Sequence, residues 1–98
     1  MERLVAQLEA LGSAVEAQQS HERIDALLHQ TEAVCRNAEG LETREEPRRL
    51  LAQLRPALQT WRDVWPRLGA QREFRLAIAR EAHGWSKRLG PRAGERAG

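Results

Sequence analysis

His21, Glu22, Asp25, His29 and Glu32 are the residues of this chain whose types and spacing come nearest to a chemical site. His21, Asp25 and His29 follow one another at intervals of four, and Glu22, Asp25, His29 and Glu32 at three, four and three. On a helix that spacing gathers the side chains on one face, where imidazole and carboxylate groups can hold a divalent metal between helices. The same face lies opposite Ile24, Leu28 and Cys35, so it is also the face a helix turns to water. No His-Glu-x-x-His motif accompanies it, and none of the paired Glu-x-x-His motifs of di-iron bundles. The sequence therefore predicts no metal site and no cofactor.

Cys35 with His29 suggests a thiol nucleophile, but Cys35 falls within an apolar stripe, where a free cysteine acts as a small buried hydrophobe. His83 lies beside the apolar stripe of its own segment and reads as a packing or surface histidine. There is no Gly-rich phosphate loop, no Gly-x-Ser-x-Gly elbow and no Cys-x-x-Cys pair. No catalytic residue is predicted, and the chain does not read as an enzyme.

The elements that carry these residues are helices. Leu, Ala, Glu, Gln and Arg dominate, while Tyr is absent and Phe occurs once. Hydrophobic spacing divides the chain into four segments, about 2–18, 21–38, 44–68 and 71–89. Leu4, Leu8, Leu11 and Val15 mark one face of the first, with Gly12 at a close approach by a neighbouring helix. The second carries Ile24, Leu27, Leu28, Thr31, Val34, Cys35 and Ala38. At about 100° per residue the first two stripes point in opposite directions unless the chain turns near Gln18–His21, with Ser20 as the N-cap. The competing arrangement is one long helix with two working faces.

Gly40 reads as a helix stop, and Thr43-Arg44-Glu45-Glu46 as a capping box for the third segment. That segment carries Leu50, Leu54, Leu58, Trp61, Trp65 and Leu68 on one stripe. Pro56 and Pro66 project to the other side, so the spacing predicts one helix bent at the prolines, against two short helices meeting near Arg55. Phe74, Ile78, Ala82, Trp85 and Leu89 share a face of the fourth segment. The expected architecture is an all-α antiparallel helical bundle: a single helical domain over 1–89, followed by a flexible C-terminal tail over 90–98.

A chain of 98 residues buries a limited share of its surface. Much of its hydrophobic content is Ala, which adds little buried area, and cores this thin are often completed by association. Trp61 and Trp65, one turn apart, suit either a core or a binding hot spot. The candidate partner-binding residues are Leu58, Trp61, Trp65 and Leu68, and the expected state is a homodimer or a complex with a helical protein. Small four-segment helical proteins of this length occur among bacterial type III and flagellar export chaperones, and Leu54-Arg55-Pro56-Ala57-Leu58 resembles a stretch in the flagellar ones. That resemblance covers five residues, implies a chaperone-like role, and carries over no functional residue.

Formal charge is +2, distributed as −4 over residues 1–40, +2 over 41–69 and +4 over 70–98. An acidic N-terminal part folded against a basic C-terminal part accounts for this without a charged ligand. The alternative function is a small nucleic-acid-associated regulator using Arg72, Arg75, Arg80, Lys87, Arg88, Arg92 and Arg96 on phosphates. Glu73 and Glu81 stand among them and no recognition helix stands out, so nucleic acid is the less favoured partner. No apolar run approaches the roughly 18 residues of a membrane span. Acidic residues interrupt any secretory leader and Cys35 is the lone cysteine, so the expected location is the cytoplasm. Circular dichroism should show a spectrum dominated by helix; a substantial strand signal would overturn this reading of the fold.

Overall fold

The computed structural model describes residues 1–90, and within them the chain forms four helices: α1 (Glu2–Glu16), α2 (His21–Leu41), α3 (Glu45–Leu68) and α4 (Arg72–Leu89). The helices are joined by short turns and run antiparallel in succession. Of the residues expected to form a tail, all but Gly90 lie outside the described residues. Among the described residues no helix is long and apolar enough to cross a membrane.

The chain does turn between the first two segments. Gln18 takes a left-handed backbone with φ 56°, and the Ser20 Oγ accepts a hydrogen bond from the Arg23 amide at 3.1 Å. That cap satisfies one of the orphan donors at the start of α2. The turn brings the Leu4–Leu8–Leu11–Val15 face onto the Ile24–Leu27–Leu28–Cys35 face, and all eight side chains are buried. A single long two-faced helix is excluded.

The next connection departs from expectation. Helix α2 continues through Gly40 to Leu41. Gly40 is exposed and a Cβ there would meet nothing, so no contact requires the chain to stop. The capping box does not form either: Arg44 occupies the cap position of α3, without a side-chain cap bond. Glu42 accounts for the shift. Its carboxylate accepts the Thr43 amide at 3.2 Å and the Arg44 guanidinium at 2.8 Å. The Arg44 hydrogen bond also holds the Glu42 carboxyl below the usual carboxylate range. With Arg44 held extended, α3 starts one residue too late for Thr43 to cap it.

Helix α3 runs unbroken through Pro56 and Pro66, both exposed, so two short helices meeting near Arg55 are excluded. Its buried stripe is Pro47, Leu51, Leu54, Leu58, Trp61 and Trp65. Leu51 therefore takes the inner position expected of Leu50, and Leu50 and Leu68 are half-buried. On α4 the buried set is Ile78, Ala79, Ala82, Ser86 and Leu89, with Phe74 and Trp85 half-buried at its margin.

Two registers define the packing. Between α2 and α3, the Trp65 indole N–H donates to the His21 carbonyl at 3.1 Å, and the Cys35 Sγ lies 3.9 Å from the Leu51 carbonyl. These contacts stand two heptads apart on each helix. Between α1 and α4, Gly12 faces His83 and Val5 faces Gly90, one heptad apart on each. A Cβ at Gly12 would lie 2.7 Å from the His83 ring, so a close approach requires this glycine. The most extensive packing is α1 on α4, followed by α2 on α3 and α1 on α2; α3 and α4 meet least, and the two diagonal pairs do not approach.

Pro56→Ala supplies the missing amide in a helix interior, where proline costs about 3 kcal/mol relative to alanine. Because Pro56 is exposed, the variant should unfold at the same or a higher temperature than the parent in a thermal melt. A marked loss of stability would show that the fold requires the proline.

Candidate functional site

Of the neighbouring helix pairs, α3 and α4 make the least contact, and Trp65 sets the geometry of their seam. Trp65 is fully buried. Its ring stacks at a tilt on His21, centroids 5.0 Å apart, and meets Phe74 at 6.3 Å. The Arg75 guanidinium lies over the same ring at 5.2 Å. Arg75 also donates to the Gly69 carbonyl and, at 3.4 Å, to the Gln19 carbonyl. One arginine thus ties the α3–α4 connection to the α1–α2 turn while its flat face covers an indole. Gly69 is required here as well: a Cβ would lie 2.8 Å from the Trp65 ring and 2.9 Å from His21.

Away from this node the two helices part. A groove of about 650 Å³ lies between the start of α1, the start of α3 and the end of α4. Its apolar wall is made by Met1, Val5, Pro47, Leu50 and Leu89, and Arg3, Arg44 and Arg88 stand around it. A neighbouring cleft of about 430 Å³ separates Leu50 and Gln53 of α3 from Arg88 of α4. Arg88 lies 4.4 Å above the half-buried Trp85 ring. Arg3 enters no ion pair among the described residues.

The sequence-predicted partner residues fall on both sides of this seam's surface. Leu58, Trp61 and Trp65 are buried within the chain, so in the closed bundle they form its own core and offer a partner no surface. Leu68 is half-buried at the end of α3. The groove residues Val5 and Pro47 carry no signal in the sequence, and Leu50 reads there as part of the inner stripe, because nothing local says that the ends of α1, α3 and α4 converge.

The His and acid cluster of α2 is dispersed by the fold. The His21 ring packs on Trp65, and His29 Nδ1 lies 2.9 Å from the Asp25 carbonyl. Glu32 is buried rather than solvated: Arg36 donates to its Oε1 at 2.8 Å, and Arg62 of α3 lies 2.9 Å from its Oε2. The Arg62 contact is an ion pair outside hydrogen-bonding geometry, which leaves Oε2 without a hydrogen bond. Only Glu32 is buried in these pairs; Arg62 is partly exposed and Arg36 largely so, and solvent screens both contacts. No group of three His, Cys, Asp or Glu residues placed to hold a metal occurs among the described residues. Cys35 is fully buried, and burial pushes its thiol up to about 11, with Glu39 and Glu32 adding to the rise and Arg55 opposing it. A thiol held protonated is a poor nucleophile.

The charge split seen in the sequence is spent on helix pairing. Glu39 lies 3.6 Å from Arg55, and Glu32 pairs with Arg62, one heptad apart on both α2 and α3. On the other side of the bundle, His83 of α4 contacts Glu9 of α1 through Nδ1 and Glu16 through Nε2, the latter at 2.9 Å. Hydrogen bonds to Glu16 and Glu9 raise the affinity of His83 for its proton, against a smaller opposing effect of burial. Of the arginines considered for phosphate contact, Arg75 is engaged on Trp65 and Arg88 on Trp85, while Arg72 and Arg80 are exposed. Arg92 and Arg96 lie outside the described residues.

These features define an all-α antiparallel four-helix bundle in which α3 and α4 are the least closely packed neighbours. No protein-family model, no curated protein and no solved structure matches the chain.

Trp65→Ala separates a core role from a surface role. With Trp65 wholly enclosed, the substitution should cost about 3–5 kcal/mol, a large share of the roughly 5–15 kcal/mol that holds a typical domain folded. Loss of helicity at ambient temperature, or a greatly lowered denaturant midpoint, is the expected result. Unchanged stability would show that the indole does not hold the bundle together.

Proposed function

We propose that the protein is a non-enzymatic helical interaction module, an adaptor or small chaperone, which takes up a helix of a protein partner along the α3–α4 seam. The observation that carries this reading is the partial closure of that seam. The two helices are locked at Trp65 and Phe74 and part toward a groove of about 650 Å³ with an apolar wall. A groove walled by three helix ends suits an incoming helix, whose ridges can settle between theirs. Leu50 supplies apolar contact from α3, while Arg88 on Trp85 supplies a cationic rim from α4. Association at that groove adds apolar burial to a chain with a small core, which is the physical ground for expecting a second copy or an unlike helical protein there. The cytoplasm remains the proposed location.

The nucleic-acid alternative gains little from Arg75, whose guanidinium lies over Trp65 and is held by the Gly69 and Gln19 carbonyls.

Leu50→Asp places a charge on the half-buried groove wall and leaves the inner stripe intact. Sedimentation of the purified protein, and its binding to any helical partner so identified, should weaken by about tenfold or more in this variant, the scale of a modest hot spot. Helicity should be unchanged. Binding should survive 0.5 M salt, whereas phosphate contacts would lose most of their affinity. Equal association of parent and variant would remove the seam from consideration.

A further inference from the structure

Three side chains outside the seam form an arrangement with a definite protonation requirement. His83 projects from α4 onto Gly12 of α1, and its two ring nitrogens face two carboxylates, Glu9 at Nδ1 and Glu16 at Nε2. The glutamates stand one heptad apart and flank the glycine. Carboxylates only accept hydrogen bonds, and a neutral imidazole donates from one nitrogen alone. Only the imidazolium donates to both at once. In the neutral ring one nitrogen lone pair faces a carboxylate oxygen, and that contact becomes repulsive.

The location of this group decides what it controls. Helix α4 packs extensively on α1, touches α3 weakly and does not approach α2. Its attachment therefore depends mainly on the α1 face, of which the Glu9–His83–Glu16 contact is the polar part. We propose that Glu9, His83 and Glu16 form a proton-dependent latch that holds α4 on α1 and so governs how far the α3–α4 seam opens. The regulatory half of this statement rests on the seam being the binding surface; the latch itself does not.

The charged groups facing His83 are few. From α1 they are Glu9 and Glu16. From α3 no ion pair reaches it among the described residues, and on α4 itself Arg80 and Lys87 stand one turn to either side. Glu16 and then Glu9 are the groups that raise its proton affinity. The sign follows from that direction. A histidine that binds its proton more tightly when folded stabilises the folded arrangement fully below its unfolded pKa, and this contribution is lost as the pH rises through the folded value. The latch is closed in mildly acidic solution and loosens toward alkaline pH.

The test uses the full chain without any partner. Amide exchange along α4, corrected for the intrinsic base catalysis of exchange, is followed from pH 6 to pH 8.5, with α2 and α3 as internal references. The parent should show several-fold more opening of α4 at the upper end and little change in α2 or α3. Nitrogen chemical shifts of the His83 ring should report imidazolium above the ordinary histidine range. H83Q should flatten the α4 profile, and so should the double variant E9Q/E16Q, which keeps the ring but removes both anions. A flat α4 profile in the parent overturns the latch. So does a pH response shared equally by all four helices, or one that persists in E9Q/E16Q. If the α4 response is found but Leu50→Asp leaves association untouched, the latch stands and the seam reading fails.

Discussion

Trp65 is the contact on which the arrangement of the bundle depends. It brings His21 of α2 and both Phe74 and Arg75 of α4 onto one ring at the end of α3, and its N–H finds the His21 carbonyl. A buried indole contributes a large apolar area, and its single donor must be satisfied. Both conditions are met by groups from another helix. The consequence is asymmetric. Three helices are fixed at one end of the molecule, while the far ends of α3 and α4 are left to whatever else holds them. For α3 that is the register with α2. For α4 it is α1.

The two sides of the bundle are fastened by different chemistry. Along α2 and α3 the fastening is a pair of acid–arginine contacts repeated at the heptad interval, Glu39 with Arg55 and Glu32 with Arg62. Both arginines are charged at every accessible pH, so this side is insensitive to protons except through its carboxylates. Along α1 and α4 the cationic partner is a histidine, the side chain that titrates nearest neutrality. The same electrostatic logic, acid on the N-terminal half and base on the C-terminal half, gives a permanent clasp on one side and a conditional one on the other.

Much of this was legible in the sequence, and the failures have physical causes. The inner face of α1, the turn at Gln18–His21, the Ser20 cap and the close approach at Gly12 all rest on local periodicity or on one residue's special chemistry. The ambiguity between Leu50 and Leu51 could not be resolved that way. Adjacent leucines differ by about 100° of arc, and a wide apolar stripe admits either until a facing helix is in place. Gly40 and Thr43 misled because the Glu42–Arg44 contact displaces the helix boundaries, and such a contact competes with any cap pattern. Glu32 looked solvated because its partner Arg62 lies thirty residues away. His83 was the hardest to read. Its partners are on the opposite end of the chain, and the available signal was indirect: a glycine in a helix interior flanked by two glutamates one heptad apart.

The extensive packing of α1 on α4 has a further meaning for how the molecule is made. Synthesis proceeds from the N-terminus, so α1 emerges first and the helix that covers most of its other side emerges last of the four. The α2–α3 hairpin can zip locally as soon as both are free, with Trp65 and His21 in reach and α1 leaning on α2. Contacts between distant segments close late, because the intervening loop must be ordered first. A nascent chain of this protein therefore carries part of the α1 face bare until α4 is delivered, and bare apolar faces are where incomplete chains stick to one another. The glycine there, Gly12, keeps that temporarily naked surface narrow.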